Sequence, residues 1–154
     1  MKCRVLSFVI FFIILIPHIA QSQKPTGIFL TRKSQGHCTN KKELLNRREY
    51  FCLEEKSIVT SADFAAISDI YFETQKGKRN IDIILTPNGS KIVNAYASTF
   101  KFGELAVVVK GKLVSIVNIG GASNIKTITV WDRFDSKSVK WIHKNLMASV
   151  SKKE

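Results

Sequence analysis

The sequence predicts an α+β fold: an antiparallel-rich sheet built from hairpins, with two to three helices packed on it. Three observations carry this prediction. Short apolar runs come in pairs joined by glycine-bearing turns, as the strands of hairpins do. Two longer segments repeat their apolar residues at helical spacing. These helical segments alternate with the strand pairs along the chain, an order that packs helices onto a sheet.

The 154-residue chain opens on an export signal. Lys2 and Arg4 give a positive start, Val5 to Ile16 is an almost unbroken apolar run, and Pro17 breaks it. Ala20-Gln21-Ser22 then supplies small residues where a signal peptidase reads. The run is far shorter than the roughly 20 residues needed to span a bilayer. Residues 1–22 are therefore expected to be a cleaved signal peptide, the alternative being an uncleaved anchor. Cys3 leaves with it. What remains is one domain's worth of chain, large enough for a real core. No second long apolar segment follows, so no membrane span is expected after cleavage.

The elements then follow in order. Ile28 to Arg32 alternates as a strand does. Lys33 to Asn46 is polar and reads as a loop, with one helical turn at Lys42 to Asn46. Glu49 to Glu54 reads as a second strand, so residues 23–56 are strands joined by a long loop. Thr60 caps a short helix, Ser61 to about Ile67. Its hydroxyl and the Asp63 carboxylate answer the free N–H groups of a helix start. Ile70 to Thr74 and Ile81 to Leu85 form a hairpin turned at Gly77. Thr86 caps a longer helix and Pro87 suits its first position. Ile92, Val93, Tyr96, Ala97 and Phe100 line one face of that helix, and Gly103 stands where it should end. The stretch Phe102 to Ile119 holds two strongly apolar strands, Ala106 to Val109 and Leu113 to Val117, joined by a Lys110-Gly111 turn. Their β-branched content suits a central, buried pair. Gly120-Gly121 makes the next turn, and Thr127 to Trp131 is another strand. Asp135 caps a last helix, about Ser136 to Val150, with Val139, Ile142, Leu146 and Val150 on one face. Residues 151–154 read as a disordered tail.

Charge and cysteines bound the partners and the compartment. Without Lys2 and Arg4 the mature chain keeps 22 of its 24 basic residues and all 12 acidic ones, a net charge near +10. Such a surplus favours acidic partners. The basic residues read as scattered surface groups: Lys41/Lys42, Arg47/Arg48, Lys76/Lys78/Arg79 and Lys110/Lys112. Export, and the lack of an aromatic-basic stacking signature, argue against nucleic acid. Cys38 and Cys52 meet an oxidising compartment and read as a structural disulfide. Free thiols are the alternative. A redox pair would favour C-x-x-C spacing.

No catalytic, cofactor or metal site emerges. Beyond Cys38 and Cys52 the candidate metal ligands are His37, His143 and dispersed carboxylates, without ligand spacing. His143 reads as a helix-surface residue. Glu54-Glu55 and Asp132/Asp135 are the nearest acid pairs, but they read as a strand end and a helix start. A nucleophile elbow is missing. Asn88-Gly89-Ser90 fits a glycosylation sequon by chance, at a helix start. Trp131, Tyr50, Tyr71 and Phe72 fall on strands and read as core. The alternative is a groove for extended polypeptide.

The stretch from about Ser57 to Leu146 resembles the head subdomain of the first periplasmic domain of the SecD/SecDF protein-export family. Val59-Thr60-Ser61-Ala62-Asp63 matches its short helix entry, and Leu85-Thr86-Pro87-Asn88-Gly89-Ser90 its second helix start. Thr99, Gly103 and Leu105-Ala106-Val107-Val108-Val109-Lys110-Gly111-Lys112-Leu113-Val114-Ser115 match its central hairpin. Gly120-Gly121, Ile128-Thr129-Val130 and the closing helix complete the order. A proline that the family carries soon after the hairpin's serine is replaced by Ile116 and Val117. The resemblance implies a head-like domain over residues 57–150, compact with 23–56. Thr86, Gly103, Ala106, Gly111, Gly120 and Gly121 become its structural motif. It also implies contact with translocating polypeptide and no catalytic residue. The expected protein is thus an exported, periplasmic or extracellular module, non-enzymatic and without cofactor, that binds protein or peptide. The alternative is a secreted basic effector or inhibitor meeting an acidic partner or a membrane surface.

Overall fold

The computed structural model describes residues 24–32, 38–99, 103–132 and 134–151. The signal segment, His37, Phe100 and Phe102 lie outside the described residues. The fold is α+β, with ten strands in two antiparallel sheets and two α-helices among the described residues.

The first sheet is built around β1 (Gly27–Arg32) and the hairpin β8 (Glu104–Val109) and β9 (Lys112–Asn118). Its order is β2-β3-β1-β8-β9, where β2 is Lys41–Glu43 and β3 is Tyr50–Leu53. The short β4 (Val59–Thr60) pairs with the start of β1, and β3 with its end. Leu44 forms an isolated parallel bridge to Leu113, and the Leu45 N–H donates to the Leu113 carbonyl at 2.9 Å. The sheet therefore curls until the β2 end meets the tip of the β8–β9 hairpin. That tip turns with φ +48° at Lys110 and +77° at Gly111, the left-handed pair a two-residue hairpin turn needs.

The second sheet has β7 (Lys78–Leu85) at its centre, β10 (Thr127–Asp132) on one side, and β5 (Phe64–Ile67) with β6 (Tyr71–Glu73) end to end on the other. α1 (Pro87–Thr99) and α2 (Ser136–Val150) bury Val93, Ala97, Val139, Ile142 and Leu146 against both sheets. β8 shows why its run is continuously apolar. Leu105, Val107 and Val109 face this main core, while Ala106 and Val108 face a smaller one with Phe29, Leu44, Leu53 and Leu113 inside the curl. A strand buried on both faces has no polar side to alternate with.

Three local expectations change. The helix over Ser61 to Ile67 is a single 3-10 turn, Ser61–Asp63, followed by β5. The capping box between Thr60 and Asp63 is present. However, Phe64 is fully buried and β5 pairs with β7, so the open flank of β7 takes this segment as a strand. The helical turn at Lys42 to Asn46 is replaced by β2 and a reverse turn with Asn46 at φ +67°. Gly103 belongs to the hairpin base, where its carbonyl accepts the Ile119 N–H at 2.9 Å, and the described part of α1 is Pro87–Thr99.

Thr86 behaves as a cap, its Oγ accepting the Gly89 N–H at 3.2 Å. Asp135 caps α2 by accepting from the backbone of Lys137 (2.8 Å) and Ser138 (2.7 Å). Gly121 supplies the left-handed position of the Gly120-Gly121 turn, at φ +73°. Cys38 and Cys52 form a disulfide with Cα atoms 5.7 Å apart, fastening the connection after β1 onto β3.

Candidate functional site

Strand alternation sets the chemistry of the second sheet. Ile81, Ile83, Leu85, Ile128 and Val130 point to the helices and are buried. The intervening Asn80, Asp82, Ile84, Thr129 and Trp131 point the other way. The two helices pack on the inner face, and no described helix covers the outer one. Ile84 and Trp131 are exposed on it.

Tyr71, Asn80 and Trp131 lie in one row across β6, β7 and β10, because Tyr71 pairs with Asn80 and Asn80 with Trp131. Tyr71 is 42% exposed and Trp131 36%, whereas Asn80 between them is only 5% exposed. The Asn80 side-chain amide donates to Glu73 at 3.3 Å, but its Oδ1 is buried with no hydrogen-bond partner among the described residues. Below this row the Asp82 carboxylate accepts from the Tyr71 hydroxyl (3.1 Å) and the Thr129 hydroxyl (2.7 Å). Burial, and then the bond to Asp82, raise the Tyr71 pKa. Glu73 is held below the usual carboxylate range by the Lys76 ammonium at 2.8 Å, and next by Asn80. Lys78 sits 3.5 Å over the Trp131 ring.

Among the described residues no further strand pairs with the outer edge of β6. Phe72, on β6, is 55% exposed, and the Arg79 guanidinium lies 6.0 Å from its ring. Tyr71 and Phe72 thus present an aromatic group to each side of that edge. These residues, with Trp131 and Tyr50, were expected in the core and are instead at the surface. A strand's sequence shows that alternate residues share a face, but what covers that face is decided by distant elements.

The basic residues are less scattered than expected. Lys41 and Lys42 on β2, Arg47 and Arg48 in the turn after it, and Lys112 at the start of β9 line one groove of about 510 Å³. The Leu44–Leu113 bridge brings them together. Lys76, Lys78 and Arg79 lie apart, at the β6–β7 turn.

The remaining candidates have structural partners or none. Glu54 accepts from both Nε (2.8 Å) and Nη2 (3.1 Å) of Arg32, and Glu55 accepts from Thr39 at 3.3 Å. Asp135 is occupied as a helix cap. Asn88 donates to Asp63 at 2.8 Å. His143 differs from the surface residue expected: it is half-buried, and its Nε2 is buried without a hydrogen-bond partner among the described residues. Among the described residues no three His, Cys, Asp or Glu side chains are grouped to hold a metal ion. No described helix is long and apolar enough to cross a membrane.

No protein-family model matches the chain, and no curated protein does. Two solved structures share its fold. One is SecDF in its super-membrane-facing form, with a TM-score of 0.62 at 17% identity over 84% of this chain and 19% of that one. The other is SecDF described as a membrane component that enhances protein export, with a TM-score of 0.58 at 14% identity over 83% of this chain and 62% of that one. The chain spans less than two-thirds of the length of either. The shared part of this chain is wider than the 57–146 stretch. At these identities the likeness is one of fold.

Proposed function

We propose that this chain is an exported, non-enzymatic binding module of the SecD-head type, and that it holds extended polypeptide along the β6 edge of its second sheet. The observation that carries this reading is the outer β6 edge, which no described strand pairs. It offers backbone hydrogen-bonding groups flanked by Tyr71 and Phe72, with Trp131 on the adjoining open face. Such an edge gives affinity through main-chain bonds that any sequence can make, and its side-chain contacts tolerate variation. The unpartnered Asn80 Oδ1 adds an acceptor beside the same row. The SecDF fold supports a setting in the cell envelope, and the Cys38–Cys52 disulfide supports an oxidising one.

The test is anisotropy with a fluorescent, permanently unfolded neutral polypeptide. Binding should weaken by about tenfold, roughly 1.4 kcal/mol, in Phe72→Ala and in Trp131→Ala. An unfolded polypeptide that does not bind, or binds equally well to both variants, removes the reading.

A further inference from the structure

We propose that the basic groove between β2 and the β8–β9 tip is a second binding site, and that its ligand is an acidic segment of polypeptide. The groove goes beyond the aromatic edge, since it lies on the other sheet and uses none of the same residues.

Its lining holds Lys41, Lys42, Arg47, Arg48 and Lys112, against one acid, Glu43. These cations come from segments some 70 residues apart in sequence and meet because Leu44 bridges Leu113. Like charges gathered in one concavity repel one another, and an anion that enters relieves that repulsion. Short edge strands often carry lysines to deter pairing. That accounts for Lys41 and Lys42, but not for Arg47, Arg48 and Lys112, which belong to a turn and to another strand.

Three features select a peptide among anions. The site is concave, and of its leucines, Leu44 and Leu113 are buried in the inner core while Leu45 is half-buried against the main core, so no fully exposed apolar side chain lines it to enter a bilayer. The neighbouring rings, Tyr50 and Trp141, each have a lysine over one face, at 4.7 Å and 4.9 Å, and only Tyr50 is exposed, so the site lacks the succession of open rings that base stacking uses. The rim is of mixed sign, with Glu43 in the lining and Glu49 3.8 Å from Arg47. A uniform polyanion meets those carboxylates wherever it lies. A peptide of mixed composition sets neutral residues against them.

The experiment uses a labelled Asp/Glu-rich peptide, its Asn/Gln counterpart, vesicles with anionic headgroups, and a single-stranded oligonucleotide. Each is titrated into the mature protein, into the double variant Arg48→Glu/Lys112→Glu, and into Phe72→Ala. Both reversed side chains are exposed, and circular dichroism checks that the variant folds. The acidic peptide should bind the mature protein, lose about tenfold or more on charge reversal, weaken with salt, and ignore Phe72→Ala. The Asn/Gln peptide should not use the groove. Acidic-peptide binding that survives charge reversal overturns the proposal. So does tighter, reversal-sensitive binding of vesicles or oligonucleotide. A neutral unfolded polypeptide that fails to bind the mature protein would remove the proposed function and leave this site standing.

Discussion

Ser115 joins the two sheets through the backbone of Trp131. Its hydroxyl donates to the Trp131 carbonyl at 3.4 Å and accepts from the Trp131 N–H at 3.5 Å. The pairing of β8 with β9 shifts between Val107 and Val108, leaving Val114 as the extra residue of a bulge. A bulge re-aims the neighbouring side chain and bends the strand. Here it turns a buried serine towards the strand that carries the candidate site's tryptophan.

Ser115→Ala should therefore loosen the junction. Two backbone groups of Trp131 lose their partner, and the expected cost is about 0.5–1.5 kcal/mol. Urea unfolding of wild type and variant measures it. A variant as stable as wild type would mean that the two contacts, both long, contribute nothing.

The disulfide should be worth more than any single hydrogen bond. Cys38 and Cys52 are 14 residues apart, and closing a loop of that size contributes about 3 kcal/mol in the chain-entropy model. The double variant Cys38→Ala/Cys52→Ala should show that loss in chemical denaturation. Reductant should lower the midpoint of the wild type and leave the variant unchanged.

Asp135 makes stability depend on acid. Backbone N–H bonds from Ser138, then the Ser138 hydroxyl and Lys137, lower its pKa in the folded chain. Folding thus favours the ionised form. The contribution is full above the unfolded value, about 3.9, and is lost as pH falls through the folded value. Asp135→Asn can still cap, so it should flatten the decline in stability below about pH 4 without removing α2. An unchanged acid limb would contradict this.

Tyr71 gives the opposite sign at the other end of the scale. Burial and then Asp82 raise its pKa above the ordinary value of about 10. Folding favours the protonated phenol, so its contribution is full below the unfolded value and is lost as pH rises through the folded one. In an absorbance titration, Tyr71→Phe should remove a late-ionising component. Asp82→Asn should lower that component only part-way, because burial remains.

The legible and illegible parts of this sequence differ in how local their causes are. The β8–β9 hairpin was legible because its turn needs Lys110 and Gly111 in left-handed conformations and its strands carry apolar residues on both faces, from Leu105 to Val109 and around Ser115 from Leu113 to Val117. Helix α2 was legible from Asp135 and the spacing of Val139, Ile142 and Leu146. The signal at Thr60 and Asp63 was also real, yet it closes only one turn before β7 claims Phe64 to Ile67 as a strand. The surface was harder to read. Tyr71 and Trp131 have the residue types of a core and are exposed because no described helix lies over that face, while Phe72, on the opposite face, is exposed on a strand at the margin of the sheet. The basic groove depends on one contact, Leu44 with Leu113, that leaves no mark on either local sequence.

The most direct test of the central claim is photo-crosslinking from the β6 edge. A photo-reactive phenylalanine analogue is placed at position 72 of the mature protein, and a control analogue at Lys144, exposed on α2. Both are illuminated with an unfolded polypeptide. The account predicts crosslinks from position 72 that an unlabelled competitor removes, and background levels from position 144. Equal crosslinking from the two positions would contradict it.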